Sequence, residues 1–390
     1  MRVLISSVGT RGDVQPAVAL ALELRRLGCD VRMCVPPNFV GWAEGYGLEA
    51  RPIGIEMRAP KPGEPPPVIP DLIADQFAVI EAAVDGCDLI VGAGAHQYAA
   101  RSVAELRGIA FIDAVYAPTS LPSPDVSPGG PADPFGTREA NLKLWETSKA
   151  GWNQRSLDRV NANRARLGLA PISDVLGHIL GDRVMMAADA TLAPSTSTPG
   201  IEVVQTGAWL LTDTAPLDPE LEAFLDAGAP PIYLGLGSMP VPGRASGTLI
   251  NAARAVGRRV ILSRGWAELG LVDDAADCIA IGDVNQQALF PRVAAVVHHG
   301  GAGTTTAAAR SGAPQVATSM FGDQFYFGRR IRDLGIGSSV PFAGLTADVL
   351  ATAVQEALAP SVAARAGAIS SSIVPDGAVI AAKQLIADLG

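Results

Sequence analysis

The chain has 390 residues, of which 48% are hydrophobic and 18% charged, with a formal net charge of −9. That length exceeds one ordinary core and suits two α/β domains, and the composition is globular rather than disordered. No Lys/Arg cluster offers a stripe for a phosphate backbone, which disfavours nucleic-acid binding, and the acidic balance disfavours a stable membrane association.

No apolar run is long enough to span a membrane. The start, MRVLISSVG, has too short an apolar part for a signal peptide and runs straight into a turn and a helix, so it reads as a buried first strand. Cys29, Cys34, Cys87 and Cys278 fall within or beside predicted strands without metal spacing, so a reduced cytoplasm is the expected compartment.

In chain order, short apolar or β-branched runs alternate with helical patterns, which predicts parallel sheets with crossover helices. Residues 2–7 read as a strand. Residues 16–27 carry helical spacing through Val18, Leu22, Leu24 and Leu27, Gly28 ends that helix, and residues 30–35 form the next strand. Further strands are expected at 89–91, 110–112 and 191–193. A second series begins at 231–238 and continues through 259–263, 278–281, 294–298 and 315–317.

The predicted fold is therefore α/β, with two tandem doubly wound, Rossmann-like domains facing a cleft, each able to bind ligands at the carboxyl ends of its strands. The expected division is 1–205, 206–375 and 376–390, with the join in the Pro-, Thr- and Ser-rich stretch 194–218. The last piece reads as a helix returning to the first domain. The Pro-rich segment 59–70 cannot pair in a sheet. It reads first as a surface loop, with a mobile acceptor flap as the functional alternative.

The most informative segment is VVHHGGAGTTT, residues 296–306. A buried strand ends in two histidines and enters a Gly-rich turn that opens a helix, whose free N–H groups and positive dipole end suit a diphosphate. His299 faces the glycines and can donate to a phosphate oxygen or carry a proton to a leaving group. For His298, still inside the strand, a satisfied core histidine and a functional one are equally good readings. At the front, Gly9-Thr10-Arg11-Gly12-Asp13 lacks the dinucleotide fingerprint. Asp13 there reads either as a helix cap, with Pro16 near the first turn, or as a carboxylate facing the cleft that takes a proton from an acceptor hydroxyl. Phe321-Gly322-Asp323-Gln324 is a polar loop that could grip vicinal sugar hydroxyls.

Together the stretches RGDVQPAVALA, VRMCVPP, VQTGAWLLTD with PLDPELEAFLDAG, VILSRGW, VNQQALFPRVAAVVHHGGAGT and the GDQ turn resemble the two-domain, B-type glycosyltransferases of natural products. The resemblance runs nearly end to end and is greatest to the glycopeptide-antibiotic transferases of the vancomycin group. HHGGAGTTTAAA with FGDQ also looks like sterol glucosyltransferases, which leaves a sterol, lipid or polyketide acceptor as the alternative.

The resemblance implies an acceptor domain followed by a donor domain. It makes Asp13 the general base, with Asp323 as rival. His299, Gly300, Gly301, Gly303 and Thr304, with His298 beside them, would hold the diphosphate, and Asp323 and Gln324 the sugar. Arg264, Trp266 and the main chain at Val284 would border the nucleobase, while Gly237 and Ser238 line the donor side and Arg11 reaches the diphosphate from across the cleft. Gly12, Met57, Gln76 and His96 are the expected acceptor contacts. Acceptor choice is expected in the loops 57–76 and 119–137, which match the family poorly.

Two departures bear on chemistry. Plant relatives use a histidine base where this chain has Asp13, and they hold the ribose with a glutamate where this chain has Ala307, which permits a deoxyribose donor. The expected reaction is inverting transfer from a dTDP- or UDP-sugar to a small-molecule hydroxyl, with that nucleotide sugar as co-substrate and no further cofactor. No Asp-x-Asp motif is present to bridge a metal to the diphosphate, so no metal is expected. The chain is expected to act as a monomer or weak dimer. A sugar-nucleotide epimerase and a catalytically silent partner of a second transferase are the competing classes.

Overall fold

The computed structural model describes residues 1–58, 71–239, 241 and 245–389, so the Pro-rich segment 59–70 lies outside the described residues. Strand β1 (Arg2–Ser7) is buried on both faces from Val3 onward, as a central strand of a parallel sheet must be. It is followed by α1 (Arg11–Arg26), β2 (Asp30–Val35), α2 (Pro37–Gly45), β3 (Glu49–Pro52), α3 (Leu72–Ala83), β4 (Leu89–Ala93), α4 (Ala100–Arg107) and β5 (Ala110–Val115). The long α5 (Arg138–Arg166), α6 (Val175–Leu180), β6 (Arg183–Met186) and β7 (Glu202–Gln205) complete the first half. Its seven strands pair in parallel in the order β3-β2-β1-β4-β5-β6-β7.

The second half runs α7 (Pro219–Asp226), β8 (Ile232–Gly235), α8 (Ala245–Ala255), β9 (Val260–Ser263), β10 (Cys278–Ile281), α9 (Gln286–Leu289), β11 (Ala295–His298), α10 (Ala302–Ser311), β12 (Gln315–Ser319), α11 (Gln324–Asp333), β13 (Gly337–Pro341), α12 (Ala347–Ala357), α13 (Pro360–Ser370) and α14 (Gly377–Leu389). The six strands here are also parallel, in the order β10-β9-β8-β11-β12-β13. The strand order reverses between β1 and β4 in one sheet and between β8 and β11 in the other. Those two switch points are where open α/β sheets form ligand crevices.

Two local expectations are corrected. Helix α1 begins at Arg11, not near Pro16, because Thr10 caps it: the Thr10 hydroxyl accepts from Gly12 N–H at 3.3 Å and Asp13 returns a bond to Thr10 N–H. Pro16 is tolerated because the N–H it lacks would have served Gly12, at the exposed helix start. The strand expected at 191–193 is a turn. Asp189 organises it, accepting from Thr191 N–H at 2.8 Å and from Val374 N–H at 2.8 Å. The sheet is instead extended by Arg183–Met186 and Glu202–Gln205.

Apolar clusters cover both faces of each sheet, and a further cluster is shared between the halves. In it Leu121, Val126 and Met186 pack with Tyr326, Phe327 and Ile331. The Phe135 and Tyr326 rings meet at 5.4 Å, and the Arg330 guanidinium donates to the carbonyls of Leu192 and Thr191 at 2.8 and 3.0 Å. Helix α14 crosses back. Its Ala378, Ala381, Ala382 and Leu385 join Val14, Val18 and Leu24 in the core of the first sheet, and Asp388 pairs with Arg183 at 2.7 Å.

The return depends on Gly377, where a Cβ would lie 2.4 Å from the Ala208 carbonyl oxygen. Gly377→Ala is therefore expected to destabilise the protein by about 1–3 kcal/mol, the range for overpacking, read as a lower thermal midpoint. An unchanged midpoint would mean that α14 does not seat against the 207–208 backbone.

Candidate active site

Asp13 sits at the switch point of the first sheet, and it is both helix cap and cleft residue. Its Oδ2 accepts from Thr10 N–H at 2.8 Å and lies 3.3 Å from the Thr10 hydroxyl, so one carboxylate oxygen belongs to the helix start. The side chain occupies the space a Cβ at Gly9 would need, 2.2 Å from Oδ2, and its Oδ1 lies 3.1 Å from the Cβ position of Gly94, just past β4. Only glycine leaves room for the carboxylate at these positions. Tyr116 donates from its hydroxyl to the Asp13 carbonyl at 2.9 Å and supports the same turn. Burial pushes the Asp13 pKa up to about 6, and the bonds from Thr10 restrain the rise.

Across the cleft, His298 ends β11 fully buried. Its Nδ1 accepts from Gly300 N–H at 3.1 Å, which leaves Nε2 to donate to Gln315 Oε1 at 3.0 Å. Both ring nitrogens are used, so the core reading of His298 is the correct one. It braces the glycine turn rather than meeting a ligand. Gly300 takes a φ of +90°, and Gly301 precedes α10 with no side-chain cap. The first backward bond of α10 runs from Thr305 N–H to the Gly301 carbonyl at 3.0 Å, so Ala302, Gly303 and Thr304 have no acceptor within the helix. A Cβ at Gly303 would meet nothing within 4 Å among the described residues.

The His299 ring is wedged between two glycines: Cβ atoms would fall 3.1 Å from its Cε1 at Gly237 and 2.4 Å from its Nε2 at Gly301. Its Nδ1 is buried without a hydrogen-bond partner among the described residues, an unsatisfied group that calls for an explanation. Burial holds the pKa down at about 4, so the imidazole is neutral at neutral pH.

Asp323 precedes α11 without capping it. Burial, and then the charge of Asp13, push its pKa up to about 7, so the two acids feel one another across the cleft. Gln324 does not face it in the manner expected. Its Oε1 accepts from Met320 and Phe321 N–H at 2.8 and 3.2 Å, and its Nε2 lies 3.2 Å from Met239 Sδ, so the amide holds the 320–323 turn in shape. Gly129 of the first half abuts that turn, where a Cβ would stand 2.9 Å from the Gly322 carbonyl carbon.

Comparison with known proteins decides the family. Residues 3–115 match the glycosyltransferase family 28 N-terminal domain, and residues 248–374 match the erythromycin biosynthesis protein CIII-like C-terminal domain. The chain is 45% identical to the vancomycin aglycone glucosyltransferase of Amycolatopsis orientalis, over 99% of this chain and 97% of that protein. It is 41% identical to the dTDP-epi-vancosaminyltransferase of the same organism, over 94% and 92%. The solved glycotransferase of kitacinnamycin superposes with a TM-score of 0.74 at 21% identity, covering 100% of this chain and 98% of that one.

The chain belongs to the vancomycin-group glycosyltransferases.

As a glycosyltransferase of B-type fold, it has a cleft that gathers Asp13, Asp323, His299 and the start of α10, whereas several other expected residues are engaged elsewhere. Arg11 pairs with Asp283 at 2.5 Å and lies over the Trp42 ring at 5.5 Å, so its guanidinium latches the halves rather than facing the glycine turn. Val284 lines a cavity of 470 Å³ with Arg11, Asp213, Leu217 and Asp283, and neither Arg264 nor Trp266 reaches it. Trp266 donates from its backbone to the Gly237 carbonyl at 3.0 Å and packs on the core of the first sheet. Arg264 is exposed, and Ser238 is half-buried after β8.

On the acceptor side, Gln76 is fully buried. It donates to the His96 carbonyl at 2.8 Å and accepts from Tyr98 N–H at 2.9 Å, so it braces the 96–98 turn. The Met57 backbone exchanges bonds with the Asn38 side chain at 2.9 and 3.3 Å while its side chain packs on the core. Gly12 is the exposed second residue of α1, and His96 is exposed. Among the described residues no group of three or more His, Cys, Asp and Glu is placed to hold a metal ion, and no helix is long and apolar enough to cross a membrane.

The residues missed from sequence are Thr10, Gly94, Tyr116 and Gly129. Thr10 and Asp13 stand three apart in the spacing of a capping box, a signal that was available. The other three contacts are long-range and left no local signal.

The raised acids have a consequence for stability. A carboxyl whose folded pKa exceeds its unfolded value binds more protons when folded, so its contribution is present at low pH and lost as pH rises through the folded value. For Asp323 that window runs from 3.8 to about 7. Asp323→Asn is thus expected to match the parent's thermal midpoint at pH 4 and to exceed it at pH 8. A difference that does not grow across that interval would contradict the assignment.

Proposed function

We propose that this transferase moves a hexose or deoxyhexose, with inversion, from a dTDP- or UDP-sugar to a hydroxyl of a glycopeptide aglycone. The names of two relatives, an aglycone glucosyltransferase and a dTDP-sugar transferase, support the acceptor class and the donor type. Ala307, set among the apolar residues beside β11, offers nothing to a ribose 2′-hydroxyl, which favours a deoxyribose nucleotide.

The observation that carries the mechanism is the opposition of two differently tuned acids to an uncapped helix start. A general base must be ionised at working pH. Burial raises both acids, but the bonds from Thr10 restrain Asp13 to about 6, whereas Asp323, which also feels the charge of Asp13, is pushed up to about 7. That division favours Asp13 as the base that takes the acceptor proton through Oδ1, and Asp323 as the group that hydrogen-bonds the donor sugar.

The acceptor oxygen then attacks the anomeric carbon from the face opposite the diphosphate, and the carbon–oxygen bond to the diphosphate breaks with its electron pair going to the leaving group. Negative charge grows on that group, where the N–H groups of Ala302, Gly303 and Thr304 and the dipole of α10 stabilise it. His299, being neutral, serves as a hydrogen-bond donor to a phosphate oxygen rather than as a proton source. His298 and Gln324 act one layer back, by holding the two turns.

Transfer is tested with dTDP-glucose and UDP-glucose against vancomycin aglycone, by mass spectrometry. Asp13→Asn is expected to fold normally and to lose on the order of a hundredfold or more in turnover, as when a general base is removed. Full activity in that variant would pass the role to Asp323. With helix and backbone donors in place of a cation, the rate should also be unchanged by excess chelator, and a chelator-dead enzyme would show that a metal carries the diphosphate.

A further inference from the structure

The segment between β5 and α5 belongs to the first half, yet it reaches the turn that carries Asp323. Helix α5 fixes it from one side. Trp145 Nε1 donates to the Val126 carbonyl at 2.8 Å, and Asn141 Nδ2 donates to the Pro124 and Gly136 carbonyls at 3.0 and 3.2 Å. Within the segment, Ser127 N–H donates to the Pro134 carbonyl at 3.0 Å. Gly129 N–H donates to the Thr119 carbonyl at 3.3 Å, so the glycine itself is tied to the end of the first sheet.

On its other side the loop docks on α11. Phe135 meets the Tyr326 ring at 5.4 Å, the Arg329 guanidinium lies 5.6 Å from the Phe135 ring centre, and Asp133 pairs with Arg329 at 3.2 Å. Gly129 then stands against the backbone of Gly322. A Cβ there would fall 2.9 Å from the Gly322 carbonyl carbon and 3.2 Å from its Cα and oxygen. These are main-chain atoms, which cannot swing aside as the end of a side chain would. The Gly322 carbonyl carbon is bonded to the Asp323 nitrogen through a rigid peptide plane, so a push on Gly322 is a push on Asp323. From within, Gln324 holds the same turn through the Met320 and Phe321 N–H groups. The carboxylate is thus located from two sides, one of them the opposite half of the molecule.

We propose that Gly129 is a positioning residue for Asp323, so that the β5–α5 loop of the first half sets where the second half holds the donor sugar. This rests on the reading of Asp323 as the group that hydrogen-bonds that sugar. Sugar handling then belongs to both halves. The diphosphate is met by the start of α10 instead, so a fault confined to Gly322 and Asp323 spares the nucleotide.

The test titrates the full chain, by calorimetry, with a nucleoside diphosphate and with its glucose ester, in the thymidine or uridine series, whichever the parent binds tighter. Gly129→Ala should weaken the glucose ester about tenfold, the loss for one hydrogen bond to a charged group, and leave the bare diphosphate unchanged. Asp323→Ala should show the same pattern. Because Gly129 acts through Asp323, the double variant should lose no more than Asp323→Ala does alone, whereas independent faults would add. If Gly129→Ala fails to fold, Phe135→Leu, which loosens the same loop on α11, must show the sugar-selective loss in its place.

A Gly129→Ala protein that keeps the parent's affinity for the glucose ester, or that loses both ligands alike, overturns the inference while Asp323 keeps its role. So does a double variant whose losses add. If Asp323→Ala binds the glucose ester as the parent does, or the parent binds neither ligand, the donor reading itself fails and takes the inference with it.

Discussion

The arrangement depends on one divided carboxylate. Asp13 gives Oδ2 to the capping box with Thr10, at 2.8 Å from the backbone N–H, and leaves Oδ1 beside Gly94. Capping fixes the side chain's rotamer as part of starting α1, so the acid is pre-positioned by the fold itself. The same bonds set its ionisation. Burial raises the pKa, hydrogen bonds from Thr10 hold it to about 6, and Asp323, which has no such side-chain bond and also feels Asp13, rises further to about 7. Two chemically identical groups are thereby made different by their surroundings.

The two halves use their topology alike. In the first sheet, Asp13 sits between glycines that follow β1 and β4, and in the second, His299 sits between glycines that follow β8 and β11. Each pair of strands is the place where its sheet reverses order, so both functional side chains rise from crevices that a doubly wound sheet makes without further design. The shared apolar cluster around Tyr326 and Phe327, the Arg11–Asp283 pair and the return of α14 hold the crevices in opposition.

Much of this was legible from local pattern. Central strands rich in Val, Ile and Leu, such as Arg2–Ser7 and Ala295–His298, declare themselves because they are buried on both faces. Edge and near-edge strands do not: Glu49–Pro52, Arg183–Met186 and Gly337–Pro341 carry charge, methionine or small residues and were not expected as strands. The apolar run 191–193 misled because its burial comes from a turn tied to Asp189, not from sheet pairing. In the site, Asp13 and the glycine turn stood out because each follows a strand and opens a helix. What sequence could not resolve was the partner of each polar side chain. Gln76, His298 and Gln324 look like ligands until their hydrogen bonds are counted, and those bonds reach as far as 85 residues along the chain.

The most direct test of the opposed-crevice account is a crystal structure with thymidine diphosphate bound. The β-phosphate is expected against the N–H groups of Gly303 and Thr304, within reach of His299, with the open side of the phosphate turned toward Asp13. A nucleotide seated away from the start of α10, or an Asp13 carboxylate rotated out of the cleft, would contradict the account.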